Sequence, residues 1–172
     1  MDAMKLEYEA IMKNGTWDLV PNSSSKNVIE NKWVYKIKYN SEGEIEKYKT
    51  MLVAKGFAQK YGVNYEETFS SIVTMAIVKL IITLLAAQGW KVLQLDVKSA
   101  FLNGDLHVEI FMSQLKGFVM QGKNSHVCKL KKSLYGLKQA PRAWYKKILG
   151  YFETLGFSKF IQIFMLLMKE KT

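Results

Sequence analysis

The sequence predicts an α+β fold, an antiparallel sheet with helices packed on it. Three observations carry this: an opening segment of helical period, a long hairpin of period two, and apolar helices interspersed with short strands whose partners must lie far away in sequence. Residues 2–13 place Met4, Tyr8, Ile11 and Met12 near helical spacing, and Gly15 can end that helix. Trp17 to Val20 follows, then a polar loop from Pro21 to Asn27. Trp33, Tyr35, Ile37 and Tyr39 alternate with Lys32, Val34, Lys36 and Lys38, the clearest strand signal in the chain. Ser41 to Glu44 reads as a turn and Ile45 to Ala54 as the returning strand. Gly56 to Ser71 is loop-like. Thr74 can cap a helix from Met75 to Ala87, with Gly89 just beyond; its nearly all-round apolarity predicts burial. Trp90 to Val97 reads as a strand, Asn103-Gly104 as a turn, and His107 to Met112 and Val127 to Leu130 as two more strands. Pro141 suits the first turn of a last helix that reaches Leu155 and stops at Gly156.

Composition narrows the function. The chain has 172 residues, 25 basic against 15 acidic side chains and a formal charge of +10. Arg142 is the only arginine, and Asp2, Asp18, Asp96 and Asp105 are the only aspartates. This excess suits a polyanionic partner, because neutralised phosphates release counterions; a lysine-rich solvated surface is the plain alternative. No apolar stretch approaches a membrane span, and the opening residues lack a secretory signal, so an intracellular location, cytoplasmic or nuclear, is expected. The single cysteine, Cys128, excludes an internal disulfide.

Chemistry has few places to reside. His107 and His126 have no metal-ligand spacing to each other or to Cys128, and glycine-rich nucleotide loops are absent. Asp96 stands out. On the strand reading it is flanked by Leu95 and Val97, where an unpaired carboxylate would be costly. Either an ion pair or a metal ion satisfies it, and the residues alone leave both open.

Whole phrases add a resemblance. Asn31 to Lys38, Lys49 to Gln59 and Tyr65 to Phe69 resemble the fingers of copia-type retrotransposon reverse transcriptases. Gln94-Leu95-Asp96-Val97-Lys98-Ser99-Ala100-Phe101-Leu102-Asn103-Gly104 resembles that family's first palm motif, and Ser133 to Tyr145 the next. The phrases come in the family's order across residues 3–157. The resemblance implies the fingers (roughly 17–90) and an incomplete palm (roughly 91–157) of a right-hand polymerase, followed by a divergent apolar tail over 158–172. It implies an RNA template with a DNA primer, or an RNA–DNA hybrid, as partner, and deoxynucleoside triphosphates as substrates. Asp96 would be the first catalytic aspartate, binding Mg²⁺ with help from the Val97 carbonyl. Phe101 would close off the sugar 2′ position, and Gln139 would lie near the incoming nucleotide. Lys32, Lys36, Lys38, Lys49 and Lys55 would contact nucleic acid.

Departures from the family pattern shape the expectation. No Asp-Asp pair occurs in the chain, so the family's Tyr-x-Asp-Asp hairpin is missing, as are the remaining palm and RNase H. Met51 stands where the family usually has arginine, Ser71-Ile72 replaces a proline phrase, and Leu115 stands where proline follows glutamine. The expected function is therefore a fragment of an RNA-directed DNA polymerase from a polyprotein, inactive alone. The alternatives are a non-catalytic nucleic-acid-binding remnant and an interaction module.

Overall fold

The computed structural model describes residues 2–23, 26–70, 74–93, 96–159 and 167–169. Helix α1 spans Asp2–Lys13, with Asp2 and Lys13 placed to complement the helix dipole. Gly15, at φ +58°, turns the chain out of α1. The buried Thr16 hydroxyl then donates to the Ile11 carbonyl at 2.8 Å, and strand β1 follows at Trp17–Pro21.

A four-stranded sheet forms the centre, in the order β1, β6, β5, β2, from β2 (Val28–Ile29), β5 (Asp105–Met112) and β6 (His126–Lys132). The β1–β6 and β5–β6 pairs are antiparallel, while β2 runs parallel to β5. The sheet is thus mixed, because the short β2 enters beside β5 in the same direction. Ile29, Ile110, Met112, Leu130 and Trp17 bury their side chains from the sheet, joined by Ile11 of α1 and by Leu102, Leu134 and Leu137 from loops. Each such aliphatic side chain contributes about 1.5–3 kcal/mol on burial. Leu115 is also in this core, 2% exposed, so the leucine at the usual proline position is used for packing.

The predicted hairpin forms as β3 (Asn31–Tyr39) and β4 (Ile45–Ala54), a separate two-stranded ribbon. Only its base joins the core, through Leu52 and Ala54. Helix α3 occupies Ala140–Thr154 with Pro141 in its first turn, and β7 (Phe157–Lys159) pairs antiparallel with β8 (Leu167–Lys169). The greater part of the apolar tail set apart at 158–172 lies outside the described residues.

Two expectations fail. Helix α2 forms at Met75–Ala87 as predicted, but none of its residues is buried; Met75, Leu80, Ile82 and Leu84 are all more than half exposed. All-round apolarity signals a helix that needs cover on every side, and no described element supplies that cover. The strand expected over 90–97 is also absent among its described residues: 90–93 and 96–97 are irregular and exposed. Among the described residues no strand lies beside Leu93 and Val97 to complete a ladder. Gln94 and Leu95 lie outside the described residues.

Candidate functional site

Three of the motif phrases meet in space. The end of β4 crosses the segment 133–139: Ala54 N–H donates to the Tyr135 carbonyl at 2.7 Å, and Val53 forms a bridge with Tyr135. The crossing requires glycine. Gly136 has φ +88°, and a Cβ there would lie 2.2 Å from the Ala54 oxygen; one on Gly56 would lie 1.9 Å from the Gly136 oxygen.

The third phrase arrives from the other side. Asp96 and Val97 are exposed, so the apolar strand setting inferred for Asp96 does not hold, and its carboxylate faces solvent. Ser99 is left-handed at φ 52° and starts the helical turn Ala100–Asn103, which buries Leu102. A non-glycine residue in that region stores backbone strain, and here it sits three residues from Asp96. Phe101 meets Tyr135 edge to face, ring centroids 5.0 Å apart. Burial pushes the Tyr135 phenol up, with the nearby Glu7 and Asp96 carboxylates adding to it. Phe101 and Tyr135 therefore share one corner, and the Asp96 carboxylate, five residues before Phe101, lies near enough to act on the Tyr135 phenol. Tyr135 was not singled out from the sequence; its position inside the Ser133–Tyr145 phrase was the available signal.

Gln139 stands next to this corner but is 8% exposed. Its amide donates to the Asn64 carbonyl at 2.8 Å and accepts from Gln59 at 3.0 Å. Gln59 in turn accepts from the Lys138 N–H at 2.8 Å. Gln139 thus ties the loop 56–65 to the start of α3. Gln59, which closes the Lys49–Gln59 phrase, is the second member of this latch and was missed because its partner is 80 positions away.

A second clip lies behind. Asp105 is ion-paired with Lys132 and, at 2.8 Å, with Lys147, so β5, β6 and α3 are tied at one carboxylate. These lysines, Lys132 foremost, hold its carboxyl below the usual range. Gly104, just before it, lets α3 approach; a Cβ there would lie 2.9 Å from Ala143 Cβ. Cys128 is buried, and burial pushes its thiol up to about 12, which removes it as a nucleophile at neutral pH.

The ribbon β3–β4 has two unlike faces. One carries Lys32 opposite Val53, Val34 opposite Met51, Lys36 opposite Lys49 and Lys38 opposite Lys47. Like charges directly opposite each other are unfavourable in a sheet, so this face calls for an anion. Val53 lies on this face and its side chain approaches Gly136, within 2.7 Å of where a Cβ would stand. The lysine face therefore rises on the side of the Asp96 corner. Lys32, Lys36, Lys38 and Lys49 are exposed, whereas Lys55 is half-buried and paired with Glu30. The other face packs at its base, where Trp33 meets Phe118 at 5.8 Å.

One carboxylate does not make a two-metal centre. Among the described residues no three His, Cys, Asp or Glu side chains are grouped to hold a metal ion. The described residues thus do not group the ligands that a Mg²⁺ ion would need. Among the described residues no helix is long and apolar enough to cross a membrane.

Comparison with known proteins agrees with the motif geometry. The reverse transcriptase (RNA-dependent DNA polymerase) family model matches residues 14–171. A retrovirus-related Pol polyprotein from transposon TNT 1-94 of Nicotiana tabacum is 46% identical over 92% of this chain. One from transposon RE1 of Arabidopsis thaliana is 43% identical over 91% of it. A truncated transposon Ty1-A Gag-Pol polyprotein of Saccharomyces cerevisiae is 26% identical over 88%. The chain spans only 12% of the tobacco polyprotein and 11% of the Arabidopsis one. No solved structure matches. From its motif phrases, their meeting at one corner and a family match over most of its length, the chain belongs to the reverse transcriptase (RNA-dependent DNA polymerase) family, as a fragment of a copia-type transposon Pol polyprotein.

Proposed function

We propose that residues 1–172 form the fingers and the first part of the palm of a right-hand polymerase, which within a longer polyprotein copies RNA into DNA. The observation that supports this reading is the contact of Phe101, five residues after Asp96, with Tyr135 at the base of the lysine-faced ribbon. In this reading Asp96 is the first catalytic carboxylate and would hold Mg²⁺ together with the Val97 carbonyl and further carboxylates from outside these residues. The family is in general metal-dependent, and the ion would stabilise charge on attacking and leaving oxygens. Phe101, braced by Tyr135, limits space beside the nucleotide sugar. Gln139 acts by fixing the loop 56–65 against α3, so that its effect on the incoming nucleotide is one of position. Lys32, Lys36, Lys38 and Lys49 meet phosphates of the primer–template, while Lys55 is engaged with Glu30.

The presence of a single assigned carboxylate favours a second, narrower statement: this chain by itself binds nucleic acid without polymerising. Both are tested by primer extension. The 172-residue chain is expected to add no nucleotides. Exchanged for the matching segment of the tobacco polyprotein, it is expected to restore extension in a form that Asp96→Asn reduces by orders of magnitude. Incorporation by the Asp96→Asn hybrid at the parental rate would refute the role given to Asp96.

A further inference from the structure

A cleft of ≈330 Å³ opens between α1, β1 and the loop 114–123, with Cys128 of β6 in its lining. It shares no residue with the Asp96 corner, the Gln139 latch or the lysine face of the ribbon. Its wall is already built. Gln114 commits its whole amide to the loop: Nε2 donates to the Lys123 carbonyl at 2.6 Å and to the His126 carbonyl at 3.0 Å, while Oε1 accepts from the Met120 N–H at 3.1 Å. Phe118 is fixed by stacking on Tyr8, with ring centroids 4.4 Å apart and 20° between the planes, and by its contact with Trp33. The lining left for a ligand is mostly apolar: the rings of Tyr8, Trp17 and Phe118, and the thioethers of Met12 and Met120. The two methionines are 44% and 45% exposed, so they stand where a ligand enters. A thioether on a rotatable stem adapts its shape to a ring and is attracted to it.

We propose that this cleft binds a small planar aromatic acid, one or two fused rings bearing a carboxylate that pairs with Lys123. Size sets the body of the ligand. Small-molecule sites run from about 300 to 1,000 Å³, so a cleft at the small end admits one or two rings and nothing much larger. Charge sets its head group. Asp18 and Lys123 are the two charged side chains in the lining. Asp18 is engaged with Lys131 at 2.8 Å. Lys123 is exposed, and among the described residues it has no ion-pair partner. An aromatic ammonium suits a cage of open ring faces, but here Tyr8 and Phe118 turn a face to each other, and the unpaired charge beside the cleft is positive. A neutral ring would use the apolar walls and leave the ammonium idle, whereas an acid uses both. The formal charge of +10 further draws anions to the surface. The site stands independently of the polymerase reading and of any nucleic acid on the ribbon.

The test is methionine-methyl NMR on the full chain, with the Met12 and Met120 resonances assigned by Met12→Leu and Met120→Leu. Titrated 2-naphthoate is expected to shift both resonances together and saturably, while Met75 on α2, 68% exposed, stays unmoved. 2-Naphthol should bind about two- to fivefold more weakly, the worth of one exposed ion pair, and 2-naphthylmethylamine more weakly still. Lys123→Gln should bring 2-naphthoate down to the affinity of 2-naphthol and remove its salt dependence. Leu19→Trp, which fills the cleft, should abolish the shifts; Lys123→Gln changes an exposed side chain and keeps the test decisive if that larger substitution unfolds the protein. Met12 and Met120 methyls that do not move at millimolar 2-naphthoate overturn the site. A Met75 resonance that moves in step with them shows general adsorption to apolar surface and overturns it too. An amine that binds as tightly as the acid, or a Lys123→Gln protein that binds 2-naphthoate like the parent, overturns the pairing with Lys123. Each of these failures leaves the polymerase reading standing.

Discussion

Gly136 and Gly56 lie where two backbones cross, and their missing side chains are what allow the crossing. The Gly136 position combines a left-handed φ of +88° with a carbonyl 2.2 Å from any added Cβ. Gly43, in the turn of the β3–β4 ribbon, has a similar φ of +82° but open space around it. The pair separates two physical costs. Gly43→Ala should cost about 1–2 kcal/mol, the left-handed term alone. Gly136→Ala should cost about 2–5 kcal/mol, because the backbones must also part. Urea unfolding monitored by tryptophan fluorescence measures both, and equal costs would show that the crossing is not tight in solution. A loosened crossing also moves Tyr135 against Phe101, so any effect on the sugar pocket follows from the same change. Residue-scale logic of this kind was only partly legible beforehand. The Gly136 motif could be read; that its carbonyl lies over Gly56 could not, since the two are far apart in the chain.

The elements divide by how local their causes are. The ribbon β3–β4 and the helices α1, α2 and α3 were legible because their periodicity and stops lie within a few residues of one another, although the Thr74 side chain makes no capping hydrogen bond to α2. The strand expected at 90–97 was not, because a strand exists only beside a partner and none of the described strands lies along it. Helix α2 shows the same limit in another form. Its pattern correctly gave a helix and correctly marked it as one that needs cover, but a pattern does not name the covering surface. With Leu80 at 58% exposure and Leu84 at 56%, α2 contributes apolar surface to water rather than to the core. Leu80→Glu with Leu84→Lys, a favourable pair one turn apart, should therefore change unfolding free energy by about 0.5 kcal/mol or less while reducing aggregation. A loss of about 2–5 kcal/mol, as for buried leucines, would mean that α2 packs into the core in solution. Light scattering and chemical denaturation on the same samples give both readings. Covering α2 is a task for surfaces that meet it, and the exposed Trp90, Val92 and Leu93 beside it enlarge the same apolar patch.

At the scale of the whole molecule, a core sheet is joined to α3 and to the ribbon by a few polar ties, and two of these titrate with opposite sign. Asp105, pairing with Lys132 and Lys147, has its carboxyl held low. Its stabilising contribution is present above the ordinary aspartate range and is lost as pH falls through the lowered folded value. Glu7, half-buried between α1 and β4, is the reverse: burial raises its carboxyl, against a Leu52 N–H and Lys49 that favour the charge. Its ionised form is the costly one, so its contribution is present below the ordinary glutamate range and is lost as pH rises through the raised value. Moving down from neutral pH, thermal stability should first rise as Glu7 takes up its proton. Below about pH 4 it should fall as Asp105 gives way. Two further carboxylates held low, Glu30 by Lys55 and Glu109 by Lys129, are exposed and add only screened, salt-sensitive contributions to the acid side. Glu7→Gln should remove the rise at mildly acidic pH. Asp105→Asn should shrink the acid fall, at a cost near neutrality of about 0.5–1 kcal/mol for a half-exposed pair. Melting curves of the three proteins across pH, at low and high salt, check each sign separately. A Glu7→Gln protein that keeps the mildly acidic rise, or an Asp105→Asn protein that keeps the full acid fall, would assign the ties to other groups, and with them the docking of α3 and the ribbon onto the sheet that together shape the Asp96 corner.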